Sequence, residues 1–128
     1  MTQIIGRVVT EWCKNEGNDR LMRLMEDFIF VDSKEITWLA PAGSIIDGAS
    51  IPRFLWSSVG PPLSGDYRRA SVIHDVYCKS QDRHYKDVHK MFHELMIADG
   101  VGRIKAKAMY LAVKTFGPKW DIVEEVIF

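Results

Sequence analysis

One histidine and the acidic residues around it hold most of the chemistry this chain can offer. His74 and Asp75 stand side by side, Asp87 follows in the next helical stretch, and Asp47 precedes them in a Gly-flanked turn. A carboxylate on one imidazole nitrogen fixes the tautomer, raises basicity and leaves the other nitrogen free. That is the arrangement of a general base held for work on water. Placed on a helix at about 100° per residue, Tyr67 to Lys79 puts Ala70, Ile73, His74, Tyr77 and Cys78 on one face. Asp75 is rotated toward the side of Ser71. On a second helix from His84 to Asp99, the residues Val88, Met91, Phe92 and Leu95 make the apolar stripe, with His84 and Asp87 at its border. Antiparallel packing across the short link from Lys79 to Arg83 brings His74 to Asp87. The expectation is a His74–Asp87 dyad. The competing reading is a satisfied core histidine.

Asp75 and Asp47 are the expected metal ligands. Two carboxylates with a backbone carbonyl suit calcium or magnesium, and adding His74 suits zinc. Asp47 also reads as a turn residue whose side chain bonds local amides. Arg53, Arg68 and Arg69 form a basic cluster that fits an anionic substrate, or pairs with Asp47, Asp66 and Asp75. Arg53, Arg68 and Tyr77 are the residues assigned to substrate. His89 and His93 lack the Glu of a His-Glu-x-x-His pattern and are expected as solvated surface residues. Cys78 has no evident base beside it, so no thiol nucleophile is expected.

The elements that must position these residues form an α+β chain. Residues 3 to 12 read as a strand. Leu21 to Glu26 is ambiguous between strand and helical turn. Phe28 to Val31 and Ile36 to Leu39 read as a hairpin across a polar link. Ser44 to Ile46 is a last extended piece. From residue 52 the period becomes helical: one or two turns from Pro52 to Val59, a helix over Tyr67 to Lys79, and a second to about Asp99, capped by Ser80 or Asp82. A third runs from Arg103 to Phe116, and the tail from Trp120 is open to a helix. The architecture expected is a small N-terminal antiparallel sheet, about 1–46, against a C-terminal layer of three to four helices, about 52–128. All of it belongs to a single domain spanning 1–128.

The totals narrow the classes. The chain has 128 residues, 47% of them apolar and 27% charged, as in an ordinary globular domain. Lys+Arg and Asp+Glu balance at 17 each, so no global field draws it to nucleic acid, and nucleic-acid binding is not expected. No apolar run approaches the roughly 20 residues of a membrane span, and the N-terminus lacks the pattern of a signal peptide. The two cysteines, Cys13 and Cys78, read as free thiols in a reducing compartment.

The segments Asp47-Gly48-Ala49-Ser50-Ile51-Pro52-Arg53, Gly65-Asp66-Tyr67-Arg68-Arg69-Ala70 and Ile73-His74-Asp75-Val76-Tyr77, with Trp56, Asp87, Phe92 and Gly100-Val101, carry a resemblance. Together they are similar to the domain of unknown function 1353 family. The match runs from about Gly6 to Gly117, with Lys86 in place of the family's usual small residue. The resemblance implies a phage or prophage origin, in the host cytoplasm or the virion, with phage structural proteins as partners. It implies no activity. The His74-Asp75-Val76-Tyr77-Cys78 stretch is also similar to the active-site helix of secreted phospholipases A2. That likeness implies His74 activating water, Asp75 on calcium and Asp87 orienting His74. The disulfides and the calcium loop of those enzymes are missing. Two functions stand as expectations. One is a hydrolase of ester or amide bonds in lipid or cell wall, using His74 and Asp87 and assisted by a divalent cation (calcium, magnesium or zinc). The other is a non-catalytic virion or tail-associated binding protein.

Overall fold

A computed structural model of the chain describes residues 2–13, 21–48, 51–52, 54 and 67–122. The helical turns expected over Pro52 to Val59, and Arg53 with them, lie outside the described residues apart from Pro52 and Phe54. So does the tail from residue 123. The N-terminal part holds two three-stranded antiparallel sheets. Strands β1 (Gln3–Ile5), β4 (Phe28–Val31) and β5 (Thr37–Ala40) form one, in the order β1-β4-β5. Strands β2 (Thr10–Trp12), β3 (Met22–Leu24) and β6 (Ile45–Ile46) form the other, in the order β2-β3-β6.

The single strand expected over residues 3 to 12 is therefore two strands in different sheets. The break falls at Gly6. Gly6 sits at φ +87°, and a Cβ there would come within 2.8 Å of the Asp27 carbonyl oxygen. Only glycine takes that turn at that distance. The ambiguous stretch from Leu21 is β3. Its alternation of buried Met22 and Leu24 around exposed Arg23 is that of a half-buried strand.

The hairpin forms as its residue types predict, with Phe28 paired to Ala40 and Val31 to Thr37. Phe28, Phe30, Trp38 and Ala40 alternate into the core. Asp32 holds the turn. Its carboxylate accepts the backbone N–H groups of Lys34 (2.9 Å) and Ile36 (3.0 Å) and the Trp38 indole N–H (3.0 Å). Burial works against the charge, but these bonds outweigh it and hold the Asp32 carboxyl below its ordinary value.

Three helices follow among the described residues: α1 (Arg68–Ser80), α2 (Tyr85–Ala98) and α3 (Arg103–Phe116). Neither Ser80 nor Asp82 caps α2. Their side chains bond each other at 3.1 Å, and His84 is the cap, its Nδ1 accepting the Lys86 N–H at 3.2 Å. Gly100, at φ +89°, ends α2. Helix α1 packs on β5, β6 and α2, and α3 packs on α2. The core is continuous from Leu24, Phe28 and Phe30 through Ile73 to Phe92, Leu95 and Met109.

Candidate functional site

Helices α1 and α2 meet around His74, which has no exposed surface. Cys78 lies one turn further along α1 on the same face, its Sγ 3.6 Å from His74 Nε2 and 3.8 Å from Nδ1. The residue facing them from α2 is His89. Its Nδ1 lies 2.8 Å from His74 Nε2, and its Nε2 lies 2.9 Å from the carbonyl oxygen of Pro118, just past α3. Phe92 stacks on His74 with ring centroids 4.5 Å apart.

The hydrogen-bond chemistry of this chain assigns the tautomers. A carbonyl only accepts, so His89 Nε2 carries a proton and donates to Pro118. In neutral His89, Nδ1 is then the acceptor, and His74 Nε2 must donate to it. His74 Nδ1 is left with its lone pair. Burial pushes His74 well below the ordinary histidine value, and a charge on His89 would push it further. Burial also lowers His89, with nearby Lys119 adding to it and the Pro118 bond opposing it. Both rings are neutral at neutral pH. The Cys78 thiol is pushed up by burial and then by the Asp75 charge, so it stays protonated.

The dyad expected between His74 and Asp87 is not what the helices form; His74 bonds His89 instead. Asp87 is exposed, at the rim of a groove of about 310 Å³ that also takes in Asp82, Arg83, Lys90 and Glu94. The cause is helical phase. The stripe read from the sequence omitted Met96, which is fully buried. Adding a buried residue at that position turns the buried arc of α2 toward His89 and away from Asp87, which flank Val88 at about 100° on either side. The same error placed His89 on the wet side, whereas it is 1% exposed. His93 is half-buried beside Tyr110, with centroids 5.2 Å apart.

Asp75 points away from His74, as its helical phase predicts, toward the end of β6. It is 1% exposed. Its Oδ2 accepts the backbone N–H of Asp47 at 3.2 Å and lies 3.1 Å from Lys79 Nζ. That ammonium is also 3.4 Å from Asp47 Oδ1 and donates to the Ile45 carbonyl at 2.8 Å. Lys79 thus stands between the two carboxylates assigned to a metal, beside the backbone carbonyl. Burial raises Asp75, against the pull of Lys79.

Of the residues assigned to an anionic substrate, the two described ones, Tyr77 and Arg68, bond different strands. Tyr77 is a buried strut, its hydroxyl accepting the Leu39 N–H at 2.9 Å and its ring set edge-on to Trp38 at 4.9 Å. Arg68 reaches β2, donating to Thr10 Oγ1 at 2.9 Å. Arg69 pairs with Asp99 at 3.3 Å. Arg53 lies outside the described residues. Arg83, which the sequence reading passed over, lies 4.3 Å over the Trp38 ring and donates to the Thr37 carbonyl at 2.8 Å.

A family model described as "Protein of unknown function (DUF1353)" matches residues 22–113. The chain belongs to this family. Two relatives from Sinorhizobium fredii (strain NBRC 101917 / NGR234) agree with that placement. Uncharacterized protein y4jT is 46% identical over 107 residues, covering 84% of this chain and 32% of its own length. Uncharacterized protein y4iH is 42% identical over 97 residues, covering 76% of this chain and 41% of its own length. The chain therefore spans about a third of one relative and two fifths of the other. No solved structure matches. The family's matched segment takes in the hairpin, β6, α1, α2 and α3 as far as Val113, and so His74, Asp75, Cys78 and His89.

Proposed function

We propose that this DUF1353 domain is a non-catalytic binding module of a phage- or prophage-type protein, working in the host cytoplasm or the virion. The observation that carries it is the burial of His74 with its ring partner, His89, inside the core. A general base must reach the proton it takes, and His74 has no surface. The extra length of the relatives supports a modular role in those proteins. The groove beside Asp87 supplies charges of both signs, with Arg83 set over Trp38. Such a surface suits a polar segment of a partner protein, such as a phage structural component.

One observation favours the rival reading, a hydrolase of ester or amide bonds. Among the described residues, the contact at His74 Nδ1 is the Cys78 thiol, at 3.8 Å. The test compares the native chain with Asp87→Asn on aryl esters, phospholipid and cell-wall amides, with and without calcium, magnesium or zinc. The binding module shows no turnover above buffer in either protein. Turnover that Asp87→Asn abolishes while keeping its fold would establish the enzyme and overturn the module.

A further inference from the structure

We propose that His74, Cys78 and His89 form a binding site for zinc, or a transition ion of similar softness, that ties α1 to α2. This goes beyond the binding-module reading and does not depend on it.

The donor atoms of the three residues all lie within 4.8 Å of one another, and all three residues are buried. Two nitrogens and one sulfur from two helices are the donor set of zinc and its neighbours rather than of calcium or magnesium. Zinc–nitrogen and zinc–sulfur bonds of about 2.05 and 2.3 Å at a tetrahedral angle require nitrogens about 3.3 Å apart, and sulfur about 3.6 Å from nitrogen. Cys78 Sγ is already 3.6 Å from His74 Nε2. The two ring nitrogens are 2.8 Å apart, closer because they share a hydrogen bond. An entering ion replaces that bond and spreads the rings by roughly half an ångström.

The surroundings fit as well. A metal-bound histidine usually donates its other ring N–H to a carbonyl or carboxylate, which fixes the ring. His89 already does so, from Nε2 to Pro118 at 2.9 Å, with Nδ1 turned to the site. The spacing of His74 and Cys78, one turn apart on α1, presents both to one ion. Three protein donors leave a fourth position of a tetrahedral ion open to a further ligand.

The proton balance is simple. His89 binds through the lone pair Nδ1 already has. The His74 proton moves from Nε2 to Nδ1, freeing Nε2. Cys78 binds as thiolate, and its proton goes to the buffer. Binding therefore releases one proton per ion and weakens as pH falls.

The intact chain, reduced and stripped with chelator, is titrated with zinc and cobalt(II). The expected results are one ion per chain and one proton released. The cobalt form should show a thiolate-to-cobalt charge-transfer band with tetrahedral d–d bands, and zinc should raise the melting temperature by several degrees. Cys78→Ser and His89→Gln should each weaken binding by at least about tenfold, while Cys13→Ser and His93→Gln should not. A native chain that binds neither ion overturns the site. So does a cobalt form with no charge-transfer band, which needs no variant to fold. Affinity unchanged in both Cys78→Ser and His89→Gln would place the ion elsewhere and overturn it too.

Discussion

His74 Nε2 and His89 Nδ1 lie 2.8 Å apart across the α1–α2 interface, with both residues removed from solvent. Two neutral imidazoles can make this contact only if one nitrogen donates and the other accepts. The Pro118 carbonyl settles which, by taking the proton of His89 Nε2 at 2.9 Å. A loop beyond α3 thereby sets the protonation of a residue on α1.

Removing either ring should leave the other with an unmet polar group in the core. An unsatisfied buried donor or acceptor and the cavity beside it together cost about 2–4 kcal/mol. His89→Ala should lower the urea midpoint by a corresponding amount. The His74→Leu, His89→Leu double variant should lose less than the sum of its singles, because neither ring is left stranded and the Pro118 carbonyl loses its donor only once. Additive losses in a double-mutant cycle would show that the contact contributes nothing.

Acid should destabilise the fold through the same pair. Both folded-state values are lowered, so at mildly acid pH the unfolded chain binds more protons than the native one. Stability then rises with pH in this window. The contribution of the pair is complete above the ordinary histidine value of about 6.5, and is lost as pH falls through the lowered folded values. Urea midpoints measured at about pH 7.5 and about pH 5.5 should fall on acidification, across the ordinary histidine value. The fall should shrink when both residues are changed to Gln. Asp75 works in the opposite sense, since its raised value favours the proton in the folded state. An equal fall in the double variant would assign the acid sensitivity to other groups.

Lys79 should prove structural despite its exposure. Its ammonium lies 3.1 Å from buried Asp75, and it also meets Asp47 at 3.4 Å. Lys79→Met leaves the Asp75 carboxylate facing the Asp47 carboxylate and should cost about 1–3 kcal/mol. Asp75→Asn keeps an oxygen for the Asp47 N–H and removes the charge, so it should cost less. Thermal unfolding of the two variants gives the order, and a neutral Lys79→Met would dismiss the ammonium as incidental.

The hairpin was legible because Phe28 to Leu39 alternates aromatic and β-branched residues around a polar turn. The helices from Arg68 onward were legible from their apolar period, with glycine stops after α2 and α3. His74 on the inner face and Asp75 turned away both followed from helical phase. The partner of His74 did not. One buried methionine, Met96, shifts the arc of α2 enough to exchange Asp87 for His89, and a single helix read alone does not fix its rotation to that accuracy. The split of the first strand was hidden for another reason. It depends on the approach of the Asp27 carbonyl to Gly6, a contact between segments distant in the chain. The Pro118 bond was equally out of reach, because it joins a loop to a residue two elements earlier.

Asp87→Asn should leave the His74 site untouched. Asp87 is exposed in the first turn of α2, where a carboxylate gains about 0.3–1 kcal/mol from the helix dipole, so the stability loss should stay below about 1 kcal/mol. The sharper readout is the imidazole itself. Long-range proton–nitrogen correlation spectra of the reduced, metal-free chain should show His74 and His89 both neutral with the proton on Nε2. That pattern should persist in Asp87→Asn and change at His74 in His89→Gln. Were Asp87 the residue that orients His74, as the phospholipase likeness implies, Asp87→Asn would move the His74 resonances and His89→Gln would not. The two variants therefore separate a base oriented for catalysis at the rim of the groove from a histidine pair buried between two helices.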